Sequence, residues 1–309
     1  MGKSKTTRLV DPVSVTKSLT VPAGEVDLAD FDPHGTPGFA GDKTEGKEAL
    51  ADLGTVLSEF QERLFADGRS GGRRRVLLVL QGMDTSGKGG VMRHAVGLFD
   101  PQGVQIKSFA APTDEERRKG FLWRIRRNLP EPGMIGIFDR SHYEDVLIGR
   151  VRSLASPSTI AKRYDSINAF EDKLVDSGTT VIKAMLHISP DKQKQRLLAR
   201  LGDSTKHWKY DVADLEERAR WNEYQRAYEI ALERCNTAAA PWLIVPSDRK
   251  WYRNWAIASV LRETLEGMDL TWPVADFDVE EQWHLLTVSD PLWAGASGQT
   301  GTSSTAPTA

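Results

Sequence analysis

The chain contains one cysteine, Cys235, in 309 residues, so no disulfide can form within it. That usage fits a reducing compartment, and the expected location is cytoplasmic. No run approaches the roughly 18 apolar residues that span a bilayer, and the N-terminus lacks the apolar core of a secretory signal, so no membrane partner is expected. A surplus of one charge is also missing. Lys and Arg total 41 against 43 Asp and Glu, a formal net charge of −2, whereas domains that coat nucleic acid are strongly basic. The 6 histidines show no metal-ligand spacing, which argues against a zinc centre. The remaining composition is that of an ordinary globular chain, long enough for two domains or for one α/β domain with insertions.

What is present is an alternation of apolar runs and helical periodicity. Leu50, Leu53, Leu57, Phe60 and Leu64 mark an amphipathic helix over Lys47–Phe65. Strands are expected at Val76–Leu80, Val104–Phe109, Met134–Phe138, Thr180–Ile188 and Trp242–Val245. Helices are expected from Lys88, over Asp114–Asn128, Thr159–Asp176, Pro190–Leu201, Val212–Arg234 and Trp251–Leu265. Nearly continuous apolar strands separated by helices predict a parallel five-stranded sheet covered on both faces, with right-handed crossovers and a ligand at the carboxyl ends of the strands. Residues 1–40 read as an extended N-terminal arm, wrapped on the domain or partly disordered. Residues 41–270 form the main domain, 271–294 a C-terminal extension and 295–309 a disordered tail. The apolar stretch Trp283–Trp293 suits either an interface or a cover for the sheet. Cys235 and most tryptophans read as structural.

Residues 82–90 read Gly-Met-Asp-Thr-Ser-Gly-Lys-Gly-Gly directly after an apolar strand. A phosphate-binding loop needs glycines so that backbone amides reach phosphate oxygens, a lysine for charge, and a hydroxyl for Mg²⁺. Gly82, Gly87 and Lys88 match, and Thr85, Ser86, Gly89 and Gly90 complete the cradle. Gly89, however, stands where the hydroxyl belongs, so the metal ligand must come from elsewhere. Asp84 is the candidate, because a carboxylate beside phosphates needs a divalent cation between them. Asp139 ends the apolar strand Met134–Phe138 and is the second Mg²⁺ candidate, followed by Arg140 to neutralise the transferred group. The fold class is therefore α/β, a three-layer P-loop nucleotide-kinase-like sandwich with a helical lid.

The lid is placed at about 202–220, a polar insertion whose Lys206 and Lys209 would close over phosphates; the alternative is a plain surface loop. Arg249, in the turn after the last strand, is positioned to touch a base or a phosphate, or to cap the next helix. Arg117, Arg118, Lys119, Arg124, Arg126 and Arg127 crowd one predicted helix, a candidate polyanion track or a solvated face.

These motifs resemble those of the polyphosphate kinase 2 family: GMDTSGKGG for the loop, IFDRSHYEDVL for the second motif and KHWKYDVADLEERARWNEY for the lid, over roughly Asp27–Met268. The resemblance implies Mg²⁺-dependent transfer of a terminal phosphoryl group between inorganic polyphosphate and AMP, ADP or ATP. It also implies self-association into a homo-oligomer. By it, Asp84, Lys88, Asp139 and Arg140 bind phosphate and metal, Lys206 and Lys209 act as lid cations, and Arg124 contacts substrate. Glu144-Asp145 replaces the Asn-Arg of members that prefer diphosphates, which implies that both AMP and ADP are accepted. An ATP-dependent nucleotide kinase and a non-catalytic nucleotide-binding module are the competing readings.

Overall fold

The computed structural model describes residues 14–288 and Leu292. Among these, the chain divides after Thr271 into a main body and a C-terminal segment. Five strands, β1 (Arg75–Gln81), β2 (Val104–Ser108), β3 (Ile135–Asp139), β4 (Thr179–His187) and β5 (Trp242–Pro246), form one sheet in the order β2-β3-β1-β4-β5. Every pairing is parallel. The expected fold class and strand count hold.

Successive residues of β1 serve opposite faces, as the strand period of two requires. Leu77 and Val79 enter one core with Ile167, Phe170 and Tyr228, carried by helices Pro157–Asp176 and Trp221–Arg234. Val76, Leu78 and Leu80 enter the other with Leu57, Leu64 and Ile257, carried by helices Lys43–Arg69 and Lys250–Glu266. Both faces of β1 are thus sealed, which explains its unbroken apolar run.

The strand order changes direction around β1. The chain leaves β1 for the β2 side and later crosses to the β4 side, so a crevice forms at the carboxyl ends of β1 and β3. Register places Leu80 beside Asp139, which brings the glycine loop and the end of the second motif together.

Several boundaries differ from expectation. The predicted helix Asp114–Asn128 is two single turns, Asp114–Arg117 and Trp123–Arg126. A capping box of Thr113 and Glu116 starts the first turn, and Gly120, a poor helix former, lies in the gap. The basic residues therefore do not line one continuous face. The predicted helix Val212–Arg234 breaks at Arg220, where ψ is 23°, into Ala213–Ala219 and Trp221–Arg234. Arg220 there donates to the Val151 carbonyl at 2.8 Å, a tertiary bond that no local pattern shows. The helix expected at Lys47–Phe65 extends over Lys43–Arg69, started by an Asp42–Glu45 capping box.

Within the described part of the arm, Val15–Leu19 is helical and Leu28–Asp30 makes one tight turn. Thr20 bridges to Leu243 of β5, and Val15, Leu19, Val21, Val26 and Leu28 are buried. The C-terminal segment contains the helix Val279–Val288. Residues 1–13, Trp293 and the expected tail 295–309 lie outside the described residues. No helix among the described residues is long and apolar enough to cross a membrane.

Candidate functional site

The glycine loop has the backbone its sequence implies. Gly82 (φ +147°) and Gly87 (φ +115°) hold conformations that a side chain would strain, and Thr85 is left-handed at φ 62°. A Cβ on Gly82 would lie 2.7 Å from the Leu186 carbonyl. Nothing lies within 4 Å of a Cβ built on Gly89, so the place of the missing hydroxyl is open space.

Most loop carbonyls are occupied, some from within the loop and some from outside it. Lys88 Nζ donates to Gly82 O at 2.8 Å and Gln193 Nε2 to Asp84 O at 3.2 Å. Arg196 donates to Thr85 O and Ser86 O at 2.7 and 3.0 Å, and Arg253 to Ser86 O at 3.1 Å. With the acceptors engaged, the amides of Gly87, Lys88 and Gly89, at the start of helix Lys88–His94, remain as donors for an anion.

At the end of β3, Arg140 adopts φ 64° and donates its amide to Leu80 O at 3.0 Å. Its guanidinium lies 3.2 Å from Asp84 Oδ1. Burial works against this charge, but Glu144, Asp84 and Asp139 outweigh it and hold the Arg140 pKa above its ordinary value. Burial pushes the Glu144 carboxyl up, opposed by Arg140 and Lys88 and reinforced by Asp84.

A cleft of about 260 Å³ opens beside the loop. Gly82, Met83, Asp84, Arg140 and Glu144 line one side; Leu147, Ile148, Tyr224 and Tyr228 form a largely apolar wall; and the lid supplies Asp211, Asp214 and Glu217. Burial and then the charge of Asp84 raise the Asp214 pKa. Glu217 is bound by Arg152 and by the Tyr224 hydroxyl, which docks the lid helix.

The other predicted residues fall outside this lining. Asp145 turns away, 3.5 Å from Arg163, so the Glu144-Asp145 pair is split between cleft and scaffold. Arg124 is buried, donates to Ala110 O at 2.8 Å and lies over the Phe109 ring. Lys206 pairs with Asp203, and Lys209 lies over Trp208. Arg249 occupies the N-cap position of helix Lys250–Glu266 without capping it. The charges of Arg196, Arg253, Lys206 and Lys192, after burial, depress the Lys250 pKa, so cations gather here while carboxylates gather in the cleft.

Sequence reading missed Gln193 and Arg253 behind the loop, and Asp211, Asp214, Glu217, Tyr224 and Tyr228 in the cleft; Arg196 stood out only as one of a run of cations, Lys192 to Lys209, that could meet a polyanion, and not as a support of the loop. Only the four-residue spacing of the two tyrosines hinted at a shared helix face.

Asp84 and Asp139 are the carboxylates that the sequence offered as metal ligands, one in the loop and one at the end of β3. Among the described residues no group of three or more His, Cys, Asp or Glu side chains is placed to hold a metal ion. Two carboxylates next to a phosphate cradle fit Mg²⁺, which keeps waters and takes substrate phosphates rather than filling its shell from protein.

Comparison with known proteins gives a consistent result. The family model of polyphosphate kinase 2 matches residues 40–272. The chain is 44% identical over 252 residues to the AMP/ADP-polyphosphate phosphotransferase of Meiothermus ruber, covering 82% of this chain and 93% of that one. It is 40% identical to the ADP-polyphosphate phosphotransferase of Rhodopseudomonas palustris, covering 84% and 92%. The crystal structure of polyphosphate kinase 2 from Arthrobacter aurescens TC1 superposes with a TM-score of 0.87 at 50% identity, covering 89% of this chain and 97% of that chain.

Proposed function

The chain belongs to the polyphosphate kinase 2 family, and from that premise we propose that it transfers the terminal phosphoryl group of inorganic polyphosphate to AMP and ADP, reversibly. The observation that carries this reading is the division of charge around the loop. Cations gather around Lys250. On the other side lies a cleft with one guanidinium, five carboxylates and a tyrosine wall. A polyanionic donor suits the first and a nucleoside the second.

The acceptor phosphate is already an oxyanion at neutral pH, so no strong general base is needed. The catalytic work is positioning and charge neutralisation. The loop amides and Lys88 would hold the donor's terminal phosphates. Arg140, in contact with Asp84, would sit between donor and acceptor. Leu147, Ile148, Tyr224 and Tyr228 would take the nucleoside, and the lid helix, docked through Glu217, would exclude water. Mg²⁺, held by Asp84 and Asp139, would offset charge on the phosphate oxygens. Glu144 beside Arg140 weakens the cation that a diphosphate would seek, which supports acceptance of AMP as well as ADP. The same reading includes ATP as product, self-association and a cytoplasmic setting.

The test is an assay with purified chain, long-chain polyphosphate, Mg²⁺ and either AMP or ADP, resolving the nucleotides by chromatography. ADP and ATP formed from AMP only with polyphosphate are expected. Turnover only with ATP plus AMP and no polyphosphate would assign an ATP-dependent nucleotide kinase instead.

A further inference from the structure

Two guanidiniums lie behind the phosphate-binding loop, and among the described residues no carboxylate is bound to either. Arg253 is 2% exposed. Its partners are Ser86 O and the Asn254 side-chain oxygen, both neutral. Arg196, half-buried, donates to the carbonyls of Thr85, Ser86, Ser247 and Asp248. Its Nε is buried without a hydrogen-bond partner among the described residues. Asp248 acts on Arg196 at a distance, but its carboxylate accepts from Ser189 N at 2.9 Å and Ser189 Oγ at 2.7 Å. Burial and then the charge of Arg196 push the Arg253 pKa down to about 9, which leaves it protonated at neutral pH.

Two like charges, one of them fully buried, are costly unless something answers them. The chain nevertheless makes room for them. A Cβ on Gly87 would lie 1.7 Å from Arg253 Nη1, and one on Gly90 would lie 2.3 Å from Nη2. Both glycines admit the guanidinium. The opposite face of the same loop offers amides at the start of helix Lys88–His94, and among the described residues no carboxylate contacts either guanidinium, Asp248 acting on Arg196 only at a distance.

We propose that Arg196 and Arg253 are positioning residues that complete the phosphate cradle from behind: they hold the Thr85 and Ser86 carbonyls away from the ligand, and the phosphate chain bound on the loop's other face is their counter-ion. The proposal rests on the reading of this loop as the donor's binding site. Because both residues reach the donor through the loop, and neither lines the acceptor cleft, their loss falls on polyphosphate binding and spares the nucleotide.

The experiment is calorimetric titration of tripolyphosphate into the full chain and its Arg253→Gln, Arg253→Lys, Arg196→Gln and Arg196→Lys variants, with KM measured for polyphosphate and for AMP. The Gln variants are expected to lose about tenfold or more in tripolyphosphate affinity, equivalent to about 1.4 kcal/mol. Their polyphosphate KM should rise to match while the AMP KM stays unchanged. The Lys variants should recover part of the binding, since charge survives although the planar fork is lost. Should Arg253→Gln not fold, Arg196→Gln and the Lys variants carry the comparison. Folded Gln variants that bind tripolyphosphate as tightly as the parent would overturn the proposal. So would a common rise in both KM values without recovery by Lys, the pattern of a merely structural role. A parent chain that does not bind tripolyphosphate would instead sink the reading of the loop itself.

Discussion

Lys183 Nζ lies 2.6 Å from Glu171 Oε2, with neither side chain exposed. The other carboxylate oxygen accepts from the Tyr143 hydroxyl at 2.8 Å and lies 3.1 Å from His142 Nε2, and Lys183 also donates to Cys235 O at 2.6 Å. Burial alone would raise the Glu171 pKa, but Lys183 and His142 more than offset it and the net direction is down. His142 and Tyr143 follow Arg140 by two and three residues, so this buried network pins the chain that presents Arg140 and Glu144.

Removing one partner of that pair leaves a buried charge unanswered. Lys183→Met is expected to cost about 3–5 kcal/mol in urea denaturation, and adding Glu171→Leu should return much of it. A single variant as stable as the parent would show that the network is slack. Because the folded Glu171 pKa is depressed, its contribution is fully present above the ordinary carboxylate value and is lost as pH falls through the lower folded one.

Asp84 and Asp139 are the proposed metal ligands. Asp84→Asn and Asp139→Asn should each lower kcat by about three orders of magnitude, on the scale seen when charge-stabilising groups are removed from phosphoryl transfer. Circular dichroism should stay unchanged, and the Mg²⁺ concentration for half-maximal rate should rise. Near-parental activity in both variants would remove the metal assignment.

Glu144 carries the acceptor prediction. Its raised pKa means that it neutralises at a higher pH than an ordinary carboxyl. Use of ADP relative to AMP should improve as pH falls toward that value, because Arg140 is then freer to meet a second phosphate. Glu144→Gln should show the improved ratio at neutral pH and no longer vary with pH. An ADP/AMP ratio of kcat/KM that is the same in both proteins would count against this role.

Glu263 anchors the arm by accepting from the Val15 and Thr16 amides at 2.8 and 3.0 Å and from Ser14 Oγ at 2.7 Å. These hydrogen bonds outweigh burial and lower its pKa. Glu263→Ala should cost about 1–3 kcal/mol and speed proteolysis near Val15. In the parent, the anchor holds above the ordinary carboxylate pKa and is released as acidification passes the lower folded value. Unchanged proteolysis across that range would contradict it.

How far the chain could be read depended on the range of the interactions. Gly82 and Gly87 were legible because their backbone angles are local requirements, and the five strands because apolar runs covered on both faces show in the residues themselves. Helix ends were less legible: Arg220 breaks its helix through a bond to Val151, 69 residues away. The lid was foreseen as a bearer of lysines, yet in the folded chain its carboxylates Asp211, Asp214 and Glu217 line the cleft. Helix phase and docking through Arg152 decide which side of a lid faces inward.

The sequence by itself determined the sheet, the loop and the aspartate at the end of β3, since each is written in a few consecutive residues. Only the tertiary structure decided what stands behind and beside them. Arg196 and Arg253 reach Ser86 across 110 and 167 residues, and the second glycine of Gly89-Gly90 makes sense only once a guanidinium fills the space beneath it. Charge and space are shared between segments far apart in the chain, and no local pattern records which distant side chain will occupy them.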